Sequence, residues 1–234
     1  MTAPRIINAR DIDFSVEPYE WPFASDEAGR IETHWNALLR DRPALYNGRV
    51  FLSHSIESDG VTVRGKAFET DFSNFLAWRD FGFPDAYVCN CFSMAALRSA
   101  DGAWLMGIMS DHTSNAGKIY FPAGTPDPGD VLEGKIDFAG SAIRELREET
   151  GLDASTLQVA PDWSVILYGP RVGCMKIINC HDDAKTICER VDDFLARDRQ
   201  PELKGLYAVR TRADLKPVRM PDFIVHWLEA VLPE

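Results

Sequence analysis

Apolar positions recur with two periods along the chain, and the changes of period mark its elements. Ile31, Trp35, Leu38 and Leu39 sit near helical spacing and predict a helix over 27–40, stopped by Pro43. Tyr46-Asn47-Gly48 is a turn signal between two strands, the second at 50–54, and another strand is predicted at 61–68. A helix over 71–80 carries Phe72, Phe75 and Trp78 on one side. A long apolar strand follows at 86–98, turning at Asp101-Gly102 into a returning strand at 103–109. Residues 119–121 lead into Pro122-Ala123-Gly124 and a Pro-, Asp- and Gly-rich loop over 125–135. A helix over about 138–150 closes at Gly151. Strands at 164–168 and 174–179 form a hairpin around Gly169-Pro170, followed by a helix at 183–197, a strand at 205–210 and a final helix at 221–232. Residues 1–30, with Pro18 and Pro22 flanking Tyr19-Glu20-Trp21, show no clear period and read as an irregular or edge segment. There is no internal repeat and no low-complexity tract.

The pattern divides the 234 residues into a small N-terminal α+β extension, 1–85, and a main domain, 86–234. With 45 % hydrophobic and 26 % charged residues, the composition is that of a globular protein. The net charge of −11 and the lack of a basic run argue against a nucleic-acid partner, which needs clustered Lys and Arg. A phosphorylated small molecule remains open if a divalent metal supplies local positive charge. Five cysteines without a CxxC pair read as buried reduced thiols, with Cys89 and Cys91 on the same side of one strand. The Met1-Thr2-Ala3-Pro4 start has no apolar signal core, and no segment approaches the roughly 18 apolar residues of a membrane span. A cytoplasmic location without membrane association is the expectation.

Chemistry concentrates in Arg144-Glu145-Leu146-Arg147-Glu148-Glu149-Thr150-Gly151-Leu152. Ala139, Ala142, Ile143 and Leu146 make an apolar stripe, while Glu145, Glu148 and Glu149 crowd another face at i, i+3 and i+4. Glu148 and Glu149 lie at the negative end of the helix dipole, where acids cost roughly 0.3–1 kcal/mol each. Arg144 reaches Glu148 at i+4 and relieves only part of this. Such a conflict suits a hard divalent cation that takes oxygen ligands.

This segment resembles the second half of the Nudix box, Gly-x5-Glu-x7-Arg-Glu-U-x-Glu-Glu-x-Gly-U with U apolar, and every fixed position from Arg144 to Leu152 matches. Phe121-Pro122-Ala123-Gly124 is similar to the family's Phe-Pro-Gly-Gly entry to the box. The middle departs from the pattern. Gly124 plus five residues reaches Gly129 and then Asp130 in place of Glu, and 13 residues separate Asp130 from Arg144 where the family has seven. The excess of about six residues falls within 131–143, in loop rather than helix. Asp130, Glu133 and Asp137 compete for the first acidic position, and Asp137 is equally a candidate helix N-cap.

The resemblance implies an α/β (α+β) fold, an α-β-α sandwich around a mixed sheet, with the N-terminal extension added to it. It implies Mg2+, with Mn2+ as a substitute, held by Glu145, Glu148, Glu149 and the Gly124 carbonyl, and Arg144 orienting the glutamates. The implied reaction is hydrolysis of a diphosphate bond in a nucleoside-diphosphate-linked small molecule. The box does not specify the general base; Glu202 is the first candidate and Glu149 the other. Lys118 and Arg171 are candidate diphosphate partners, and His112 in the polar loop 110–115 reads as a surface residue. Among the extension's aromatics (Tyr46, Phe51, Phe68, Phe72, Phe75 and Trp78), core residues and substrate selectors are both expected. Pro43-Ala44-Leu45-Tyr46-Asn47-Gly48 is similar to the front segment of family members acting on nucleotide sugars such as UDP-glucose. ADP-ribose and dinucleotides are rival substrates, and a non-catalytic nucleotide-binding module is the alternative outside enzymology.

Overall fold

The computed structural model describes residues 3–113 and 115–233; Met1, Thr2, the Ser114 of the polar loop and Glu234 lie outside them. In chain order the elements are strands β1 (Arg5–Ala9) and β2 (Asp11–Val16), helices α1 (Pro22–Asp26) and α2 (Ala28–Asp41), strands β3 (Arg49–Ser58) and β4 (Thr62–Asp71), and helix α3 (Phe72–Asp80). Strands β5 (Asn90–Arg98), β6 (Trp104–Met109), β7 (Ile119–Tyr120), β8 (Ala123–Gly124), β9 (Val131–Leu132) and β10 (Lys135–Ile136) follow. The chain ends with α4 (Phe138–Thr150), β11 (Gln158–Tyr168), β12 (Arg171–Asn179), α5 (Ala184–Leu195), β13 (Leu203–Val209) and α6 (Asp222–Val231).

Two mixed sheets result. The larger has the order β1-β11-β12-β5-β6-β13, with β7 beside β6 and β8 beside β5. Among the described residues only β12 and β5 run parallel in it. The smaller has the order β3-β4-β2-β10-β9, with β2 and β4 parallel.

Strand β5 shows why helices cover both faces of the larger sheet. Side chains alternate along a strand. Phe92, Met94 and Ala96 pack with Phe223, Ile224, Trp227 and Leu228 of α6. Ala95 and Leu97 point the other way, toward Leu146 of α4 and Ile187, Val191 and Leu195 of α5. Further along that second face, Cys91, Trp163, Val165, Val172 and Cys174 meet Phe14, Val63 and Ala67 of the smaller sheet. The far side of the smaller sheet, through Val50, Leu52 and Phe68, packs on Ile31 of α2 and Phe75–Trp78 of α3. All five cysteines are free, and the buried Cys91 and Cys174 bring their Sγ atoms to 3.8 Å.

Three expectations change. Residues 5–16 form two regular strands: β1 meets the edge reading, as the edge of the larger sheet, whereas β2 lies inside the smaller one and is neither irregular nor an edge. They are only five and six residues long, so they carry little period, and the partner of β1 lies near residue 165. Residues 46–48 do not join two strands; they connect α2 to β3. There the Asn47 Oδ1 accepts from the Ser73 amide at 2.8 Å and the Gly48 carbonyl accepts from the Phe72 amide. They satisfy the first N–H groups of α3, whose own N-cap Asp71 makes no side-chain cap. The insertion predicted as loop begins with a β9–β10 hairpin turning at Glu133-Gly134, both at positive φ. Strand β10 then pairs with β2. Strand pairing therefore crosses residue 85 in both directions, β1 entering the larger sheet and β9–β10 the smaller.

Candidate active site

Helix α4 is set by its two ends. The Asp137 side chain accepts from the Gly140 amide at 2.9 Å as N-cap, and Gly151 ends the helix at φ 70°. A Cβ at 151 would also run into the Phe194 ring. Ala142 and Leu146 are fully buried. Glu145 and Glu149, one turn apart, are thereby directed at β8. A Cβ at position 124 would overlap the Glu145 carboxylate, so glycine is what allows the approach. The Ala123 amide donates to Glu149 Oε1 at 3.4 Å, while Oε2 is buried without a partner.

Two acids so placed resist ionisation. Burial pushes Glu149 up to about 8, and repulsion from Glu145 and Glu202 adds to it. Burial pushes Glu145 up to about 7 against the opposing effect of Arg144, with Glu148, Glu202 and Asp130 adding repulsion. Arg144 is the local organiser. Its Nη1 lies 3.0 Å from Glu145 and 3.1 Å from Glu148, and its Nη2 donates to both Asp130 oxygens at 3.0 and 3.1 Å. Asp130, 5 % exposed, also accepts from the Ser141 hydroxyl and the Asp127 amide. Of the three competitors for the first acidic position, Asp130 thus meets Arg144, Asp137 caps the helix, and Glu133 lies in the hairpin turn.

A cleft of about 1120 Å³ opens beside this helix. Gly124, Glu149, Glu202, Lys118 and Arg171 all line it. Glu202 is exposed just before β13. Lys118 is exposed and donates to the Val218 carbonyl at 3.3 Å. Arg171 stands at the start of β12, its guanidinium 5.5–5.9 Å from the Phe83, Tyr168 and Phe223 ring centres. Glu148 is not in the cleft; its side chain is 59 % exposed on the outer side of α4, beside Arg144. The exposed His112 lies at the rim. From the extension come Pro43, Leu45, Phe72 and Phe75, whereas Phe51, Phe68 and Trp78 are core and Tyr46 is 83 % exposed.

The second half of the box folds into one helix with Gly124 seated against it. The chain resembles the Nudix hydrolases. Among solved structures it aligns with a Nudix hydrolase from M. smegmatis, RenU, at 14 % identity and TM-score 0.37, covering 62 % of this chain and 86 % of that one. It aligns with DR0079 from Deinococcus radiodurans at 12 % identity and TM-score 0.36, covering 61 % and 74 %. A MutT protein from Methanosarcina mazei aligns at 21 % identity and TM-score 0.24, covering 38 % and 60 %. No family profile and no curated protein matches the chain in sequence. The box residues, not these overlays, carry the resemblance.

The site suits a Nudix-type divalent cation. Glu149 is buried with an oxygen that nothing satisfies, Glu145 on the same helix is half-buried, and Arg144 already serves Asp130, Glu145 and Glu148. Among the described residues no three His, Cys, Asp or Glu side chains converge as a metal cage. Mg2+ binds through one or two carboxylates and fills its remaining positions with water and phosphate oxygens, so Glu145 and Glu149 suffice as its side-chain donors. Among the described residues no helix is long and apolar enough to cross a membrane.

Sequence reasoning missed Asn90, Phe83 and Tyr120, which also line the cleft. Asn90 was legible only as a polar residue inside an apolar strand. Tyr120, whose hydroxyl accepts from Asn115 at 3.0 Å, carries a phenol that burial raises above its ordinary value. Phe83 gave no signal, because its place depends on φ +60° just after α3.

Proposed function

We propose that the chain hydrolyses the diphosphate bond of a nucleoside-diphosphate-linked small molecule, in particular a nucleotide sugar, with Mg2+ or Mn2+ bound at Glu145, Glu149 and the Gly124 carbonyl and Glu148 contributing from the outer face. The observation that carries this is the pair of α4 carboxylates set against β8: Glu145 is half-buried beside Gly124 and paired with Arg144, and the buried Glu149 keeps an Oε2 atom without a partner. When bound, the metal supplies positive charge that neutralises the diphosphate and lowers the pKa of a water molecule.

This chain's own residues do the rest. Arg144, locked by Asp130, holds Glu145 and Glu148 in their rotamers. Glu202, at the exposed rim of the same cleft, takes the proton of the attacking water; Glu149 is the second candidate for that step. Lys118 contributes positive charge along the cleft for the phosphate oxygens. Water adds to one phosphorus, the bridging oxygen leaves with the other, and two monophosphates result. Pro43, Leu45, Phe72 and Phe75 wall the cleft, which supports a selecting role for the extension. Its volume accommodates a nucleotide sugar, and equally ADP-ribose or a dinucleotide.

The test is product analysis with Mg2+ across UDP- and GDP-sugars, ADP-ribose and dinucleotides. Metal-dependent release of two monophosphates, fastest from a nucleotide sugar, is the expected result. Tight nucleotide binding with no turnover of any member would instead assign a binding module.

A further inference from the structure

At the end of the cleft formed by the start of β5 and β12, two polar side chains lie unmatched side by side. Asn90 and Arg171 are register partners across the parallel β5–β12 pair. Asn90 is 8 % exposed; its Nδ2 donates to the Thr125 hydroxyl at 3.4 Å, and its Oδ1 is buried with no partner. The Arg171 Nε is likewise buried with no partner, and among the described residues its guanidinium forms no ion pair. Buried polar groups are normally matched, because an unmatched one costs about 1–3 kcal/mol.

The surroundings narrow what matches them. Phe83, Tyr168 and Phe223 border the guanidinium. Phe83 holds its place at a positive φ, a costly conformation for a non-glycine residue, with its ring edge-on to Trp78 at 4.8 Å. Arg171 lies one strand from β5 and three residues from Ser93, the partner of Gly124, or roughly 11 Å along the sheet. Thr125, the partner of Asn90, directly follows Gly124, so this part of the cleft adjoins the metal-holding residues. An acceptor beside a guanidinium donor, bordered by aromatic faces, is complementary to a flat ring whose edge carries a donor next to an acceptor. A simple anion would face the Asn90 oxygen unfavourably.

We propose that Asn90 and Arg171 form the subsite that reads the base of the nucleotide, with Asn90 Oδ1 accepting from a ring or exocyclic N–H and Arg171 donating to the neighbouring acceptor. The proposal rests on a nucleotide substrate for this cleft but not on hydrolysis.

The test is calorimetric titration of the whole chain, without divalent metal, with UMP, GMP, AMP, ribose 5-phosphate and ribose 1,5-bisphosphate. At least one nucleotide is expected to bind about 10-fold or more tighter than ribose 5-phosphate. Asn90→Ala and Arg171→Met are each expected to erase that gain while leaving ribose 5-phosphate unchanged. If Asn90→Ala does not fold, Arg171→Met and the wild-type series still decide. No gain from any base, a gain that survives in Arg171→Met, or an equal gain from ribose 1,5-bisphosphate would overturn the proposal. Base-dependent binding in a protein without turnover would sink the hydrolase and leave this subsite standing; turnover without base-dependent binding would do the reverse.

Discussion

Asp130 and Arg144 are 14 residues apart in sequence and joined by three hydrogen bonds, of 3.0 and 3.1 Å from Nη2 and 3.4 Å from Nε. The pair ties the helix of the box to the segment that leads into the β9–β10 hairpin. Asp130→Asn keeps the shape and removes the charge. A 10- to 100-fold loss in apparent metal affinity or turnover is expected, as for other residues that orient metal ligands. Titration of activity against Mg2+ measures it. Asp137→Asn, which preserves the N-cap, should leave that titration where it was, and equal losses in the two variants would show that Arg144 needs no anchor.

Glu149 and Glu148 should separate stability from turnover. Glu149→Gln removes an acid whose ionisation burial and its neighbours oppose, so the metal-free protein should melt a few degrees higher while hydrolysis disappears. Glu148→Gln alters an exposed side chain and should abolish turnover with the melting temperature unchanged. Melting curves in chelator beside product assays read both. Near-normal Mg2+-dependent activity in the Glu148 variant would count heavily against the assignment.

The hairpin gives the insertion a different expected phenotype from a loop. A trimmed loop would shift substrate preference and spare metal dependence. Replacing residues 131–136 by a short linker instead breaks the β10–β2 pairing and frees Asp130. Activity on all substrates should fall together, with a lower melting temperature. Selective loss of one substrate in a stably folded variant would restore the loop interpretation.

Asp101 sets an acid limit on stability. Its carboxylate is held well below the ordinary range by the Ser99 hydroxyl, then by Arg210 and by the Ala184 amide at the start of α5. A carboxyl with a depressed folded pKa stabilises above its unfolded value of about 3.9 and loses that contribution as pH falls through the folded value. The wild-type melting temperature should therefore drop below pH about 4 more steeply than that of Asp101→Asn. Parallel curves for the two proteins between pH 5 and pH 2 would refute the linkage.

The sequence by itself determined the elements with long, unbroken periods: α2, β5, β6, α4, α5 and α6 stand within a few residues of their predicted places. It also determined the candidate chemistry, because the spacing of Glu145 and Glu149 on one helix and a glycine at 124 are local facts. Tertiary structure decided what depends on partners remote in the chain. It alone placed β1 beside β11, turned the insertion into a strand pair on β2, and chose Asp130 to meet Arg144. It also left Glu148 in solvent while burying Glu149 one residue away. Short strands and single polar side chains carry almost no periodic signal. Their positions follow from which distant surfaces remain to be covered once the larger sheet and its helices have packed.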